Sequence, residues 1–581
     1  MCCGAPMIEV RARPRCRLSV VGAAMVSVLG LSAVTACGSS GPERVANQAP
    51  DDLALSVIIG LRRDDAGLAA AALERSTPSE ATYLDWLTPE EVAAQFGAPA
   101  TDAAAALEVL TTAGFVGGLD PTGGLLVGEM SAADAATFFG TPIVTVPLGE
   151  TGVLAVPRER PDVPEQLADY ATEVVGLTVL IDRDTTTTVA EPADPVPAAP
   201  PCPDVLGLGP LLRDRYRLQP LLDAGATGEG VTMAMLEVSP TSQRAIDLFE
   251  ACRPFEIPPV TVANADASTP EAFADRAVES TLDIAAAALI APGLDGIDIY
   301  QVNAFAPLAV GLAAVMASAN TPDGLPALIS LSLGFCEPLV TDAEIAVSER
   351  LLMGAAAMGT SVIASTGDFG SSSCAPRDLS EQVQYPSSSP WVTGVGGTSL
   401  VAVDGTIVDE VAWGENGFGG GGGRTSRIPR PPWQADIPIA GTTRIVPDVA
   451  FVANPENLGP IPTCDTTGTC VWQVNGGTSA TAPGAAAGTA LILQYLSDVE
   501  QVPVRLGALN PGLYAVARNR AAAGDVPGGY LDIVSGSNDV NRVGCCSATP
   551  GYDPATGWGV MDFWDLAQRI EAAIATLRGT D

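Results

Sequence analysis

Beyond residue 204 the sequence alternates apolar strand runs with helical stretches, and this alternation limits the fold more than any other feature. Val231–Val238, Ala327–Leu333 and Ser361–Ser365 read as strands. Ala274–Ile290, Phe305–Ser318, Asp342–Met358 and Ala482–Leu496 read as helices. Strands apolar along their whole length, separated by helices, form a parallel sheet covered on both faces. The expected class is therefore α/β, a parallel sheet flanked by helices. Loops leaving the carboxyl ends of such strands are where sites form.

Upstream lies a smaller unit, from residue 42 to about 180. Thr88-Pro89-Glu90-Glu91 supplies an N-cap, a proline at the first helical position and a glutamate at N3. Val92 and Phe96 give that helix an apolar face, and Gly97 a stop. A second helix is expected over Thr101–Ala113, with strands at Gly124–Met130 and Pro142–Val146, so the unit reads as α+β. Between the two, residues 182–203 carry a threonine run and then Glu191-Pro-Ala-Asp-Pro-Val-Pro-Ala-Ala-Pro-Pro-Cys-Pro203. A Pro-rich polar stretch reads as an extended, exposed linker, and such linkers are cut by proteases.

The chain has 581 residues and no histidine. Its 29 cationic side chains are all arginine, since no lysine occurs either. Every mechanism that needs imidazole as base, or lysine as nucleophile or phosphate ligand, is excluded. Acid–base work falls to carboxylates. A formal net charge of −38 argues against a nucleic-acid partner and suits a protein kept soluble outside the cell or at low pH.

Arg11, Arg13, Arg15 and Arg17 precede an apolar run from Leu18 to Val34, the pattern of a signal peptide. The run ends Val34-Thr-Ala-Cys37 and continues Gly-Ser-Ser-Gly41, which resembles a bacterial lipobox with Cys37 as the lipidated residue. An ordinary secretory signal with an incidental cysteine is the alternative. No later stretch is long and apolar enough to span a membrane. Of 12 cysteines, Cys2, Cys3 and Cys16 leave with the signal. Eight remain beyond Cys37, an even number that suggests disulfides in an exported chain. Cys464 and Cys470 close a short loop. Cys202–Cys252 and Cys336–Cys374 are the other pairings considered. Adjacent Cys545 and Cys546 make an awkward pair, open to partners elsewhere or to staying reduced.

Three short segments carry chemistry. Ser479 follows Asn475-Gly-Gly-Thr and precedes a long Ala-rich helix. A serine at a helix start is exposed, and the dipole there favours an anion; equally, it can be a plain N-cap. Glu279 and Asp283 stand four apart on a helix, so they share a face. Their neighbours are Leu282, Ile284 and alanines, which is no solvated surface. Asp368, in Ser365-Thr-Gly-Asp-Phe-Gly370, follows an apolar strand. Protonated, it can donate to a developing oxyanion; otherwise it is a turn aspartate.

Taken together, these motifs resemble the sedolisins, or serine-carboxyl peptidases, and the likeness is collinear over nearly the whole chain after the signal. Gly477-Thr-Ser-Ala480 with Ala482-Pro483 is similar to the nucleophile motif. Glu279-x-x-x-Asp283 with Ile290-Ala-Pro-Gly293 is similar to the motif of the base and its partner, and Gly367-Asp-Phe-Gly370 to the oxyanion motif. Tyr385-Pro-Ser-Ser-Ser-Pro-Trp391 and Pro447-Asp-Val-Ala450 are further family blocks. The resemblance implies a subtilisin-like fold with Ser479 as nucleophile, Glu279 as base, Asp283 as its support and Asp368 as oxyanion donor. It also implies one Ca²⁺ held by Asp532 and Asp553 with backbone oxygens of Ile533, Thr549 and Gly551, a hard cation on oxygen ligands. Ser332, Leu333 and Gly334 end a strand where the family pairs with substrate backbone; aromatic residues are frequent at the middle position, and Leu333 departs from that. Tyr83-Leu-Asp-Trp86 through Phe96-Gly97 resembles the family's activation prodomain, which blocks the site and is removed in acid.

The expected organisation is a signal peptide at 1–36, a tether at 37–50, a prodomain at 51–181, the linker at 182–203 and a peptidase domain with its calcium loop at 204–581. The expected function is an exported, acid-acting serine peptidase made as an inactive precursor. Its partners would be a peptide or protein substrate and its own prodomain, with the membrane reached only through a lipid on Cys37, and the molecule a monomer. Carboxylates titrate near 4, so the triad should work in acid. The alternative is a catalytically silent surface lipoprotein that uses the fold for binding.

Overall fold

A computed structural model describes residues 47–148, 152–182, 198–203, 209–253, 256–266, 278–303, 305–322, 324–404, 406–465, 468–521 and 528–579. The expected signal, Cys37 and most of the linker lie outside the described residues. Among the described residues, no helix is long and apolar enough to cross a membrane.

Residues 47–182 form two four-stranded antiparallel sheets with small helices. Ala54–Leu61, apolar at nearly every position, is central in one sheet, between Leu125–Ser131 and Ala171–Gly176. The expected capping box closes as read. Thr88 accepts from the Glu91 N–H, Glu91 accepts from the Thr88 N–H, and Pro89 opens the Pro89–Phe96 helix. The second helix runs Ala100–Thr112.

The remainder is built on one ten-stranded sheet. Its parallel part runs, in spatial order, Val260–Asn264, Gly296–Gln301, Thr232–Glu237, Leu328–Leu331, Ser361–Ser365, Val392–Val403, Val449–Val452 and Val560–Met561. Thr406–Ala412 and Tyr530–Leu531 join antiparallel. The chain starts at Thr232–Glu237, builds outward to one side, then returns to the other. The order therefore reverses at that strand, and crevices open at such switch points. Helices Val278–Ile290, Leu308–Ala317, Asp342–Ala357 and Thr478–Glu500 cover the sheet.

The two units share an apolar seam. Ile58, Leu68, Ala72, Leu87 and Val92 pack in one cluster with Leu308, Leu312, Val347 and Leu351. Trp86, in the Tyr83–Trp86 motif, donates its indole N–H to the Arg505 carbonyl at 3.3 Å and lies against Gly359 and Gly507. Arg350, on the Asp342–Ala357 helix, pairs with Asp65 at 2.9 Å and Glu173 at 3.0 Å.

Pro447-Asp-Val-Ala450 has a structural purpose. Asp448 and Arg444 pair with both side chains fully enclosed. Asp448 also accepts from Tyr514 and from the Gly394 N–H, while Arg444 donates to the carbonyls of Ser387, Ser388 and Val392. Removing one partner of a buried, fully bonded pair strands the other. Asp448→Ala is expected to lower unfolding free energy by about 3–5 kcal/mol, read by urea denaturation at neutral pH. A loss within the error of the measurement would show that Arg444 finds water.

Three disulfides match the pairings considered: Cys202–Cys252, Cys336–Cys374 and Cys464–Cys470. Cys545 and Cys546 pair with each other, the arrangement the sequence made least attractive.

Candidate active site

Three segments converge at the switch point. The nucleophile helix begins earlier than expected, at Thr478 rather than Ala482. Proline interrupts a helix because it cannot donate to the carbonyl four residues back. Here that carbonyl belongs to Ser479, and the Ser332 hydroxyl bonds it instead at 2.8 Å. Pro483 thus frees a backbone acceptor that ties Ser479 to the end of the Leu328–Leu331 strand. Gly477, which caps the helix, has φ 106°. A side chain there would meet Asp368 Oδ2 at 2.1 Å, so glycine is needed for conformation and for space.

Asp368 is anchored from that helix end. Its Oδ1 accepts the Thr478 N–H at 2.7 Å and the Thr478 hydroxyl at 2.6 Å. The Thr478 oxygen in turn accepts the Gly367 N–H at 3.0 Å. With Oδ1 committed, Oδ2 is the oxygen free to carry a proton. Burial raises the Asp368 pKa to about 6, against the lowering pull of Thr478. The Cys336–Cys374 bridge links the segment after Ser332-Leu-Gly334 to the segment after Asp368.

Glu279 and Asp283 stand on one face of the Val278–Ile290 helix, which packs against the nucleophile helix. Ala285 and Ala480 share a cluster with Leu282, and small residues let the two backbones approach. The Ser479 hydroxyl lies close enough to the Glu279 carboxyl to pull its pKa down. Burial outweighs that pull and raises Glu279 to about 7, and the Asp368 charge adds to the rise. Asp283 is fully enclosed and its carboxyl is driven well above the usual range, first by burial, then by Glu237 and Glu279.

Glu237 is the participant that motif reading missed. It ends the Thr232–Glu237 strand at 1% exposure, and burial with the Glu279 charge raises it to about 8. It lies close enough to Asp283 that each carboxyl shifts the other. The signal was visible, a lone acid within the apolar run Val231–Val238. Only the sheet order brings that strand end beneath the Glu279 helix. Ser479, Glu279, Asp283 and Glu237 act on one another in that order, and Asp368 acts on Glu279, so the groups make one enclosed carboxyl line. Such a line can take a proton from a serine hydroxyl.

Ser332, Leu333 and Gly334 lie beside this centre. The Leu333 side chain is buried at 8% exposure within the core, so it offers substrate only backbone. Gln384 stands against both Gly334 and Gly367, close enough that a side chain on either would collide with its amide. At the far end of the sheet, Asp532 Oδ2 accepts the Gly551 N–H at 2.9 Å and Asp553 Oδ2 the Thr549 N–H at 2.8 Å. Asp532 Oδ1 is buried with no hydrogen-bond donor. Burial raises both carboxyls, Asp553 to about 6. An orphaned Asp532 oxygen, on a side chain whose other oxygen holds the same loop that Asp553 braces, fits a hard cation.

The pro-kumamolisin activation domain family matches residues 43–180, and the subtilase family residues 284–507. Kumamolisin of Bacillus sp. (strain MN-32) is 36% identical over 58% of this chain and 59% of its own length. Sedolisin of Pseudomonas sp. (strain 101) is 24% identical over 89% of this chain and 87% of its own. The chain joins a pro-kumamolisin activation domain to a subtilase-type peptidase domain. Human tripeptidyl-peptidase 1 is 30% identical over 43% of this chain. The match spans less than two thirds of kumamolisin and 44% of the human enzyme. The crystal structure of Pseudomonas sedolisin, a serine-carboxyl proteinase, shares the fold, with a TM-score of 0.52, 24% identity, 61% of this chain and 97% of that chain covered.

Proposed function

We propose that the chain is the precursor of an exported serine peptidase that hydrolyses peptide bonds in mild acid through Ser479, Glu279 and Asp283. The packing of the Glu279 helix against the helix that opens with Thr478-Ser479, with Asp368 bonded to Thr478 in a centre free of histidine, carries the reading. Ser479 Oγ attacks the scissile carbonyl carbon as its proton passes to Glu279. The carbonyl oxygen becomes an oxyanion and accepts from protonated Asp368 Oδ2. Glu279 then returns the proton to the leaving amine, and water releases the acyl group by the same steps. Ser332, Leu333 and Gly334 would align the substrate backbone. Product length separates endopeptidase action from the tripeptide removal that the name of human tripeptidyl-peptidase 1 describes.

The apolar seam and the Arg350 pairs account for an activation domain that stays docked until cut. The test is autoprocessing. Residues 38–581, made without lipid and as a Ser479→Ala counterpart, are stepped from neutral pH down to about pH 4, and intact mass is followed. Cleavage in or near 182–203 is expected in the parent only. Unchanged mass in both would favour the silent binding lipoprotein. Cys37, carrying the lipid, would tether the precursor to the outer face of the membrane.

For the cation, Asp532 and Asp553 would supply carboxylates and Ile533, Thr549 and Gly551 carbonyls, and one Ca²⁺ would brace the Tyr530–Leu531 end of the sheet. It takes no part in the chemistry. A site filled at a hundredfold over its dissociation constant contributes about 2.7 kcal/mol. Chelation is expected to lower the melting temperature of the parent and leave Asp532→Asn unmoved. An identical shift in both would place the cation elsewhere.

A further inference from the structure

Glu237 and Asp283 pose a question that the triad leaves open. Both are enclosed, and Glu237 Oε1 and both Asp283 oxygens receive no donor. Ser332 lies near enough to hold the Asp283 carboxyl down, but its hydroxyl proton goes to the Ser479 carbonyl. Two enclosed carboxyls that shift each other and receive no other donor can satisfy one another only if one of them carries a proton. Something must decide which oxygen carries it.

Ser280 is the candidate. It lies in the helix turn between Glu279 and Asp283, fully buried. Its Oγ is 3.4 Å from Glu237 Oε2. The same Oγ is 3.0 Å from the Ser239 carbonyl and 3.0 Å from Ser239 Oγ, and the Ser280 N–H donates to Ser239 Oγ at 3.2 Å. One hydroxyl proton facing Glu237 Oε2 on one side and the two Ser239 oxygens on the other is a rotor. Turned to Glu237, it occupies Oε2 and leaves Oε1, the oxygen without a donor, to hold the acid proton in the pair with Asp283. Turned to the Ser239 carbonyl, it releases Oε2.

We infer that Ser280, held by Ser239, is a positioning residue that fixes the acid proton of Glu237 on the oxygen paired with Asp283, and so sets the direction of the hydrogen bonds leading to Glu279. This deepens the peptidase reading and rests on Glu279 acting as base. The charged groups around the rotor are Glu237 from its strand, Glu279 and Asp283 from the helix, and Asp368 across from Glu279; no arginine contributes to their shifts. The role is that of a carboxylate that fixes a histidine tautomer in another triad, played here by a hydroxyl on a carboxyl.

The test uses Ser280→Ala, Ser280→Thr and Ser239→Ala in the full chain, each also combined with Ser479→Ala. Infrared spectra follow the carbonyl stretch of protonated carboxyls, with Glu237→Gln identifying the Glu237 band. In the Ser479→Ala background, Ser280→Ala is expected to shift that band and Ser280→Thr to restore it. In the active chain Ser280→Ala should lower kcat about tenfold, near the upper range for one hydrogen bond between neutral groups, with KM unchanged and the pH limbs of kcat displaced. Ser239→Ala gives the same signs in weaker form and serves if Ser280→Ala does not fold. A Glu237 band and pH profile identical to the parent's overturn the inference. A shifted band in a protein whose parent cleaves nothing supports the rotor and removes the peptidase reading instead.

Discussion

Glu279→Gln is expected to lower kcat by on the order of 10³–10⁴ with little change in KM, near the upper range for a general base. The substitution keeps the shape of the side chain. What it removes is a carboxylate able to accept the Ser479 proton, and with no histidine in the chain no imidazole can substitute. Loss confined to kcat marks a group that acts in the transition state and not in binding. Steady-state hydrolysis of a peptide by the processed enzyme reads it, with exposed Glu229→Gln as control. A Glu279→Gln enzyme within tenfold of the parent would sink the triad. Ser479→Ala combined with Glu279→Gln should be no worse than Ser479→Ala alone, because residues that act as one unit are not additive.

The second large effect is at Asp368. Asp368→Ala should cost about 10²–10³ in kcat, the range for removing one oxyanion donor. Asp368→Asn is the more informative variant. Its amide oxygen can take the two Thr478 bonds now made by Oδ1, and its N–H₂ then stands where Oδ2 carries the proton. The asparagine donates at any pH. The aspartate donates only while protonated, and burial holds that proton up to about pH 6. The sign follows directly: parent kcat falls as pH rises through that value, while the asparagine variant holds its rate higher. The opposite limb belongs to Glu279, which must be ionised and which burial raises to about 7. Because the base titrates above the donor, the productive combination is a minority form, greatest between the two values. The expectation of activity near the ordinary carboxylate range thus moves to milder acid. The limbs report the coupled carboxyls together. Unmoved limbs in Asp368→Asn would show that another group supplies the donor.

Several features were fully legible in the chain. The absence of histidine excluded imidazole mechanisms before any fold was considered. Four-residue spacing put Glu279 and Asp283 on one helix face, because any α-helix does so. Thr88-Pro-Glu-Glu91 closed its capping box because every partner lies within one turn. Strand and helix alternation gave the parallel sheet for the same local reason.

What lay beyond local reach depended on neighbours distant in sequence. Glu237 joins the carboxyl line only because sheet order sets its strand end beneath a helix that begins about forty residues later. The nucleophile helix starts at Thr478 because Ser332, from another strand, takes the carbonyl that Pro483 leaves unbonded. Leu333 stands where a substrate contact was expected, yet its side chain turns into the core. The proton affinities of Glu237, Glu279 and Asp368 are properties of enclosure, since burial is the largest cause of each rise. Sequence by itself determined which groups could do the chemistry, because composition and short spacing fix what is available. The tertiary structure decided which groups meet and where their protons reside, because desolvation and long-range packing exist only once the chain has folded.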